Sequence, residues 1–286
     1  MSVFDYDKAF SRNIGWVTKD EQKVLKSKKV AIAGLGGVGG IHAITLARLG
    51  IENFHIADMD AFGIENFNRQ AGAMMSSIGK EKALVVKNMI LDINPNANIQ
   101  VFDGGINQHN IDDFLKDVDI YVDGLDFFVF DARILAFQKS YEYNIPAVSA
   151  GPLGFSAAMF NVLPGKMTFN DYFGLHTTTD LVKRSNLFLV GMIPRLAPLK
   201  YIADKSAIKL EDKAGPSTAM ACQLCAGVVG TQVLKLLLGR GKVRCLPRVS
   251  TFDPYTCEVY HHWIPFGYKN PIQQLKILIA GNKKVK

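Results

Sequence analysis

One hexapeptide constrains this chain more than any other stretch. Gly34-Leu35-Gly36-Gly37-Val38-Gly39 follows a compact apolar run at residues 29–33 and opens a stretch of helical spacing at 37–49. A strand that turns this sharply into a helix leaves backbone N–H groups pointing outward at the helix start. Side chains on the turn would hold a phosphate away from them, so Gly34, Gly36, Gly37 and Gly39 are candidates to cradle one. A second strand at 53–58 ends on Asp58, at the spacing that sets a carboxylate against a ribose hydroxyl. This fingerprint specifies a nucleotide, and by itself a nicotinamide cofactor is its default reading.

The alternation continues beyond the loop. Before it, Thr18-Lys19-Asp20-Glu21 reads as a capping box opening a short helix to about Lys26. After it come a long helix at 80–93, closed by Asn94-Pro95, and strands at 99–102, 120–123 and 147–150. Strands separated by helices predict an α/β chain of Rossmann-like, doubly wound type, with a mainly parallel sheet covered by helices on both faces. The regular order fails after Val162. Residues 164–215 scatter prolines and glycines among apolar patches and read as a crossing segment with one or two helices, the clearest at 180–190. A helix at 217–238, an antiparallel hairpin of 249–252 with 258–262 around Asp253-Pro254-Tyr255, and a short amphipathic helix at 273–279 complete the chain. The predicted organisation is a single domain: an arm and helix at 1–27, a nucleotide-binding core at 28–163, the crossing segment at 164–216, and the helix, hairpin and tail at 217–286.

Composition narrows the class without deciding it. With 286 residues and 48% hydrophobic content, the chain can bury one large core. Its +7 formal charge suits an acidic partner. The basic residues are scattered, however, except where Lys283, Lys284 and Lys286 crowd the end. No basic stripe interleaves with aromatics, as a nucleic-acid face would need. No leader-like order of charged, apolar and small residues opens the chain, and the apolar run at 225–238 is interrupted by Thr231, Gln232 and Lys235, so no membrane span is expected. Four cysteines without a dense framework suit a reducing cytoplasm.

The stretch after Asp58 argues for ATP. Asp58-Met59-Asp60 leads to Glu65-Asn66-Phe67-Asn68-Arg69-Gln70, then Gly79-Lys80-Glu81-Lys82-Ala83. A triphosphate must be neutralised before its α-phosphorus can be attacked, and Arg69 and Lys82 would supply that charge, one as a planar fork and one as a point charge. Val122-Asp123-Gly124-Leu125-Asp126 then puts two aspartates at a strand's C-terminal end, where open parallel sheets bind ligands. Asp126 suits Mg²⁺, which takes one or two carboxylates alongside phosphate oxygens and waters.

In combination these motifs resemble the ThiF/MoeB/HesA family, which includes the adenylation domains of ubiquitin-activating enzymes. The resemblance covers about residues 10–162 and again 215–239. It implies that Asp58 binds the adenosine ribose, that Asn66, Arg69 and Lys82 hold the phosphates, and that Asp126 binds magnesium. It further implies a homodimer in which Arg12, within Phe10-Ser11-Arg12-Asn13, reaches the partner's ATP. The implied chemistry is attack of a substrate carboxylate on the α-phosphorus, giving an acyl-adenylate and pyrophosphate. The substrate would be a small carboxylated molecule, a peptide or a ubiquitin-like protein.

The chain also departs from that family. Many relatives carry a cysteine in the crossing segment and two Cys-x-x-Cys pairs that hold zinc. Here the crossing segment has none, and the single pair, Cys222 and Cys225, lies among small apolar residues in a predicted helix, where core packing is the better account and zinc is not expected. Phe127 follows Asp126 where relatives often have a polar residue, and Arg133 sits slightly later than expected. Asp123 could share a metal or make a structural hydrogen bond. Transfer without a thiol is known in relatives such as the tRNA threonylcarbamoyladenosine dehydratases, which makes that activity an alternative, with tRNA as a possible partner but not the favoured one. An NAD(P)-dependent oxidoreductase would leave Asn66, Arg69, Lys82 and Asp126 without a purpose, and a non-catalytic binding subunit would not need so complete a set.

Overall fold

The computed structural model describes residues 3–208 and 215–282; the lysine-rich end and positions 209–214 of the crossing segment lie outside them. Eight strands form one sheet: β1 (Lys29–Ala33), β2 (Asn53–Ala57), β3 (Asn98–Phe102), β4 (Ile120–Asp123), β5 (Ala147–Leu153), β6 (Ser156–Val162), β7 (Arg248–Asp253) and β8 (Glu258–Trp263). Their order is β3-β2-β1-β4-β5-β6-β7-β8. The first five in that order are parallel, and β6, β7 and β8 continue the sheet antiparallel. The antiparallel part is thus larger than the expected hairpin. β6 was not foreseen, and it pairs with β5 over its whole length, from Ala147 opposite Val162 to Leu153 opposite Ser156.

Ten helices accompany the described strands: α1 (Tyr6–Ala9), α2 (Lys19–Ser27), α3 (Gly39–Leu49), α4 (Lys82–Ile93), α5 (Ile111–Phe114), α6 (Phe130–Glu142), α7 (Phe169–Phe173), α8 (Leu181–Met192), α9 (Ala219–Leu237) and α10 (Pro271–Asn282). The capping box at α2 forms as read, with Thr18 Oγ1 accepting from Glu21 N and Glu21 Oε2 accepting from Thr18 N. Strand alternation divides the core into two layers. Val30 and Ile32 of β1 pack with α3, α4 and α9, while Ala31 and Ala33 face the layer built from α5 to α8.

Helix α9 is the one helix among the described residues long and apolar enough to cross a membrane, with a mean hydropathy of 1.4. Its buried residues, Cys222, Cys225, Ala226, Val229 and Val233, recur at helical spacing and pack on the sheet. Both cysteines therefore occupy the core, as their spacing suggested.

One core residue gives the fold an acid sensitivity. His42, on α3, is fully buried, and neither ring nitrogen has a hydrogen-bond partner among the described residues. Burial pushes its pKa down from 6.5 to about 3. The unfolded chain takes up a proton near 6.5 and the folded chain does not. Stability is therefore complete above that pH and falls as pH drops toward 3, by up to about 1.4 kcal/mol per unit. Urea denaturation at pH 7.5 and pH 5 is expected to show a loss of ~2 kcal/mol from this residue. A His42→Leu chain should lack that component, and an unchanged pH dependence in the variant would count against the assignment.

Candidate active site

The glycine loop joins β1 to α3, and its glycines do two different jobs. Gly34 has φ +80°, and a Cβ there would run into the Gly124 carbonyl group; one at Gly39 would collide with the Gly34 carbonyl oxygen. These two positions, with Gly124, let β1, the end of β4 and the start of α3 touch backbone to backbone. Gly36 and Gly37 face outward instead. A Cβ at Gly36 would lie 3.6 Å from Gln70 Nε2, and one at Gly37 would lie 3.3 Å from Cys222 Sγ and 3.8 Å from Arg69 Cδ. Arg69, Gln70 and Cys222, the neighbours of this pair, also line a cleft of about 260 Å³ together with Phe67 and Asn68. No side chain among the described residues caps α3, and in its first turn Gly40 N makes only a long bond, 3.4 Å, to Gly36 O, so this helix end remains open to an anion.

Asp58 holds this loop in shape. Its Oδ2 accepts from Leu35 N at 2.6 Å, and its Oδ1 accepts from Asp60 N at 2.9 Å. Burial raises its pKa above the ordinary aspartate value despite those donors and nearby Lys82. Each oxygen keeps a lone pair, so the same carboxylate can order the loop and accept ribose hydroxyls.

Lys82 is the first residue of α4. Its side chain is only 8% exposed, and Nζ donates to Asp60 Oδ2 at 3.0 Å, a carboxylate that is itself 65% exposed. The ammonium is therefore held at the mouth of the site by a partner that solvent or phosphate can replace. Asp60 was in the quoted motif but had no assigned role. Asn66 is buried, and its Oδ1 accepts from Gly63 N at 3.0 Å, closing the 3₁₀ turn Ile64–Asn66. This turn carries Arg69, whose Nη1 donates to Glu65 O at 3.0 Å and to Asn68 Oδ1 at 2.9 Å. Gln70 is buried beside Gly36, and its Oε1 lacks a partner among the described residues. An orphaned acceptor at a glycine loop suits a donor on a ligand or a water. Its signal in the sequence was its place directly after Arg69.

Asp126 is exposed just beyond β4, with Oδ1 accepting from Phe128 N at 3.1 Å. Arg133 fixes the loop that carries it. From α6 its Nε pairs with Asp123 Oδ2 at 3.0 Å, Nη2 donates to the carbonyls of Leu125 and Asp126, and Nη1 donates to those of Phe127 and Val129. Ser149 Oγ also donates to Asp123 Oδ2, at 2.9 Å. Asp123 thus takes the structural alternative. The later position of Arg133 is absorbed by a loop that wraps its guanidinium.

Arg12 is not brought to this site. It lies exposed in the 3₁₀ turn Ser11–Asn13, which Asn13 Nδ2 ties to Leu49 O at the C-terminal end of α3. The glycine loop is at the other end of that helix, about 16 Å away at 1.5 Å per residue. The remaining cysteines are Cys245, half-buried, and Cys257, exposed in the β7–β8 turn. Among the described residues, no group of three or more His, Cys, Asp or Glu side chains is placed to hold a metal.

Comparison with known proteins identifies the family. The family model described as "ThiF family" matches residues 10–271. Over 144 residues the chain is 31% identical to a tRNA threonylcarbamoyladenosine dehydratase of Haemophilus influenzae, covering 50% of this chain and 55% of the relative. Over 239 residues it is 32% identical to a probable adenylyltransferase/sulfurtransferase MoeZ of Mycobacterium tuberculosis, covering 82% of this chain and 53% of the relative. The chain spans about half the length of these two relatives. Among solved structures, E. coli MccB with ATP superposes with a TM-score of 0.65 at 19% identity, covering 89% of this chain and 69% of MccB; at that identity the likeness is one of fold. With the glycine loop, Asp58, Arg69, Lys82 and Asp126 set along one edge of such a sheet, and a family match over nearly its whole length, the chain belongs to the ThiF family.

Proposed function

We propose that this protein is an ATP-dependent adenylyltransferase that activates a carboxylate and uses no cysteine of its own. The observation that carries the reading is the buried ammonium of Lys82, held by the replaceable Asp60 carboxylate at the same sheet edge as the uncapped α3 and Asp58. NAD needs no such cation beyond the loop. In the proposed step a carboxylate oxygen bonds to the α-phosphorus of ATP as the bond to the bridging oxygen breaks, and pyrophosphate leaves with that electron pair. Asp58 orients the ribose, the α3 N-terminus and Arg69 hold phosphate oxygens, and Lys82 offsets charge on the leaving group.

The residues present fit Mg²⁺. Asp126 offers an exposed carboxylate with one oxygen not committed to the backbone, and this ion needs only one or two protein carboxylates beside phosphate and water. When bound, the ion would neutralise phosphate charge. For Cys222 and Cys225, cysteine independence is supported by burial, which pushes both thiols above their usual pKa and so disfavours the nucleophilic thiolate. Four free cysteines suit a reducing cytoplasm.

The substrate class we favour is a small carboxylated molecule or the C-terminus of a peptide or protein. The match to tRNA threonylcarbamoyladenosine dehydratases supports a second reading, in which the activated carboxylate is that of a threonyl group and is resolved within the substrate. Arg12 is exposed and its turn is tied to the end of α3 remote from the glycine loop, which favours a homodimer in which it reaches the partner's ATP.

ATP–pyrophosphate exchange tests these points together, with C-terminal peptides, small carboxylates and threonylcarbamoylated tRNA as candidates. Exchange with at least one is expected, lost in Asp126→Ala and reduced about tenfold or more in Arg12→Ala. Retention of NAD(H) with no exchange from any candidate overturns the reading. A strictly monomeric, fully active protein in sedimentation overturns the role of Arg12 alone.

A further inference from the structure

Three aromatic rings from distant parts of the chain meet at the edge of the sheet that carries the glycine loop. Phe155 lies in the β5–β6 turn, Tyr201 in the crossing segment and Tyr255 in the β7–β8 turn. Tyr201 and Tyr255 have centroids 4.4 Å apart with planes 36° apart. Phe155 lies 5.9 Å from Tyr201 and 5.4 Å from Tyr255, with planes 20° and 18° apart. The result is a wall in which Phe155 lies nearly parallel to each tyrosine and the two tyrosines are tilted to each other.

The wall is held by specific bonds. Asp253, only 2% exposed, accepts from the Tyr201 hydroxyl at 3.2 Å through Oδ2 and from Tyr255 N at 3.1 Å through Oδ1. Gly154 has φ +63°, and a Cβ there would lie 3.0 Å from the Tyr201 ring, so the turn needs glycine for its conformation and for the ring beside it. Yet Tyr255 remains 62% exposed. A fold that anchors two rings on one buried carboxylate and leaves a ring face to solvent has built a surface for something else to stack on.

Its position says what that is. β5 and β7 run in the same direction as the parallel strands, so both turns lie at the C-terminal edge, with the glycine loop, Asp58 and Asp126. A hydrogen-bonded path joins the wall to the phosphate arginine. Arg69 donates to Asn68, Asn68 Nδ2 donates to Ser217 O at 2.9 Å, and the neighbouring Thr218 Oγ1 donates to Gly154 O at 3.1 Å. A substrate whose carboxylate sits on the α-phosphorus and whose remainder runs along this edge in the direction of β5 to β7 meets these rings.

We propose that the Phe155–Tyr201–Tyr255 wall is a specificity subsite that stacks an aromatic side chain of the acyl substrate, a few residues behind the carboxylate that is activated. This rests on the adenylation reading and adds the chemical class of substrate to it. An added ring continues the offset-parallel stack, and each such pair favours binding beyond its buried area.

The test uses non-hydrolysable acyl-sulfamoyl adenosines, which carry both the adenosine and the acyl group. The acyl part is a four-residue peptide ending in glycine, with phenylalanine, arginine or alanine at each of the three other positions in turn. Affinity is measured by calorimetry on the whole chain. With phenylalanine at one of the positions, binding about tenfold tighter than with alanine is expected. Tyr255→Ala should remove that preference without changing affinity for the alanine compound or for ATP, and Tyr255→Phe should retain it. Equal affinity for phenylalanine and alanine at every position overturns the subsite. A preference for arginine overturns its assignment to aromatic side chains. If neither ATP nor any of these compounds binds, the adenylation reading itself fails, a result distinct from the other two.

Discussion

Replacing Lys82 with methionine is expected to slow ATP–pyrophosphate exchange by about 10²- to 10³-fold while leaving the fold intact. The side chain is buried along its stem, so methionine preserves most of the apolar packing and removes only the charge. The partner it abandons, Asp60, is largely exposed, and water can solvate the freed carboxylate. The structural cost should therefore be small, and the melting temperature should stay close to that of the unaltered chain. The catalytic cost should be large, because a desolvated cation near the leaving phosphates acts where charge accumulates in the transition state. Steady-state exchange separates the two stages at which Lys82 can act: a loss confined to KM for ATP would mean that the charge serves ground-state binding, whereas a fall in kcat places it at the transition state. Lys82→Met retaining half or more of the exchange rate would remove Lys82 from the mechanism. Asp60→Asn provides the complementary measurement. It keeps a hydrogen-bonding group at the mouth of the site but takes away the charge that phosphate must displace from the ammonium, so a tightened affinity for ATP is the expected sign that phosphate replaces Asp60 on Lys82.

The parts of this site that were legible in the sequence are those whose cause is local. Gly34 to Gly39 could be read because a strand-to-helix turn with outward N–H groups tolerates few side chains, and the Thr18 capping box because its two bonds span three residues. Helix α9 could be read from its apolar spacing, and Cys222 and Cys225 with it. β6 could not: all seven of its residues are buried, so the period of two that marks a half-buried strand is absent, and the Pro152-Leu153-Gly154-Phe155 turn before it reads as the start of a loop. The two glycine roles were also hidden. Only the folded chain shows that Gly34 and Gly39 meet backbone while Gly36 and Gly37 meet Gln70, Arg69 and Cys222. Lys82 and Asp60 are 22 residues apart, and the three rings at 155, 201 and 255 come from segments with no common pattern. Such convergences depend on the register of the sheet, which propensity does not encode.

Arg133 is where the largest stability effect is expected, and its effect on function can be separated from it. Its pair with Asp123 is almost completely buried, at 3% and 2% side-chain exposure, so Arg133→Met leaves a carboxylate in the core without its cation. Removing one partner of such a pair costs about 3–5 kcal/mol, and here the carbonyls of Leu125, Asp126, Phe127 and Val129 lose their donors as well. Replacing both charges, as Asp123→Asn with Arg133→Met, removes the uncompensated carboxylate and should recover part of the loss in chemical denaturation. The double variant leaves the loop carbonyls unheld, however, so the loop that presents Asp126 is no longer fixed. The expected outcome is a chain that is more stable than the single variant yet still needs more Mg²⁺ for half-maximal exchange than the unaltered protein does. Recovery of the Mg²⁺ dependence together with stability would show that Arg133 serves the core alone. A double variant no more stable than Arg133→Met would instead locate the cost in the loop carbonyls, because the buried charge would no longer be there to explain it.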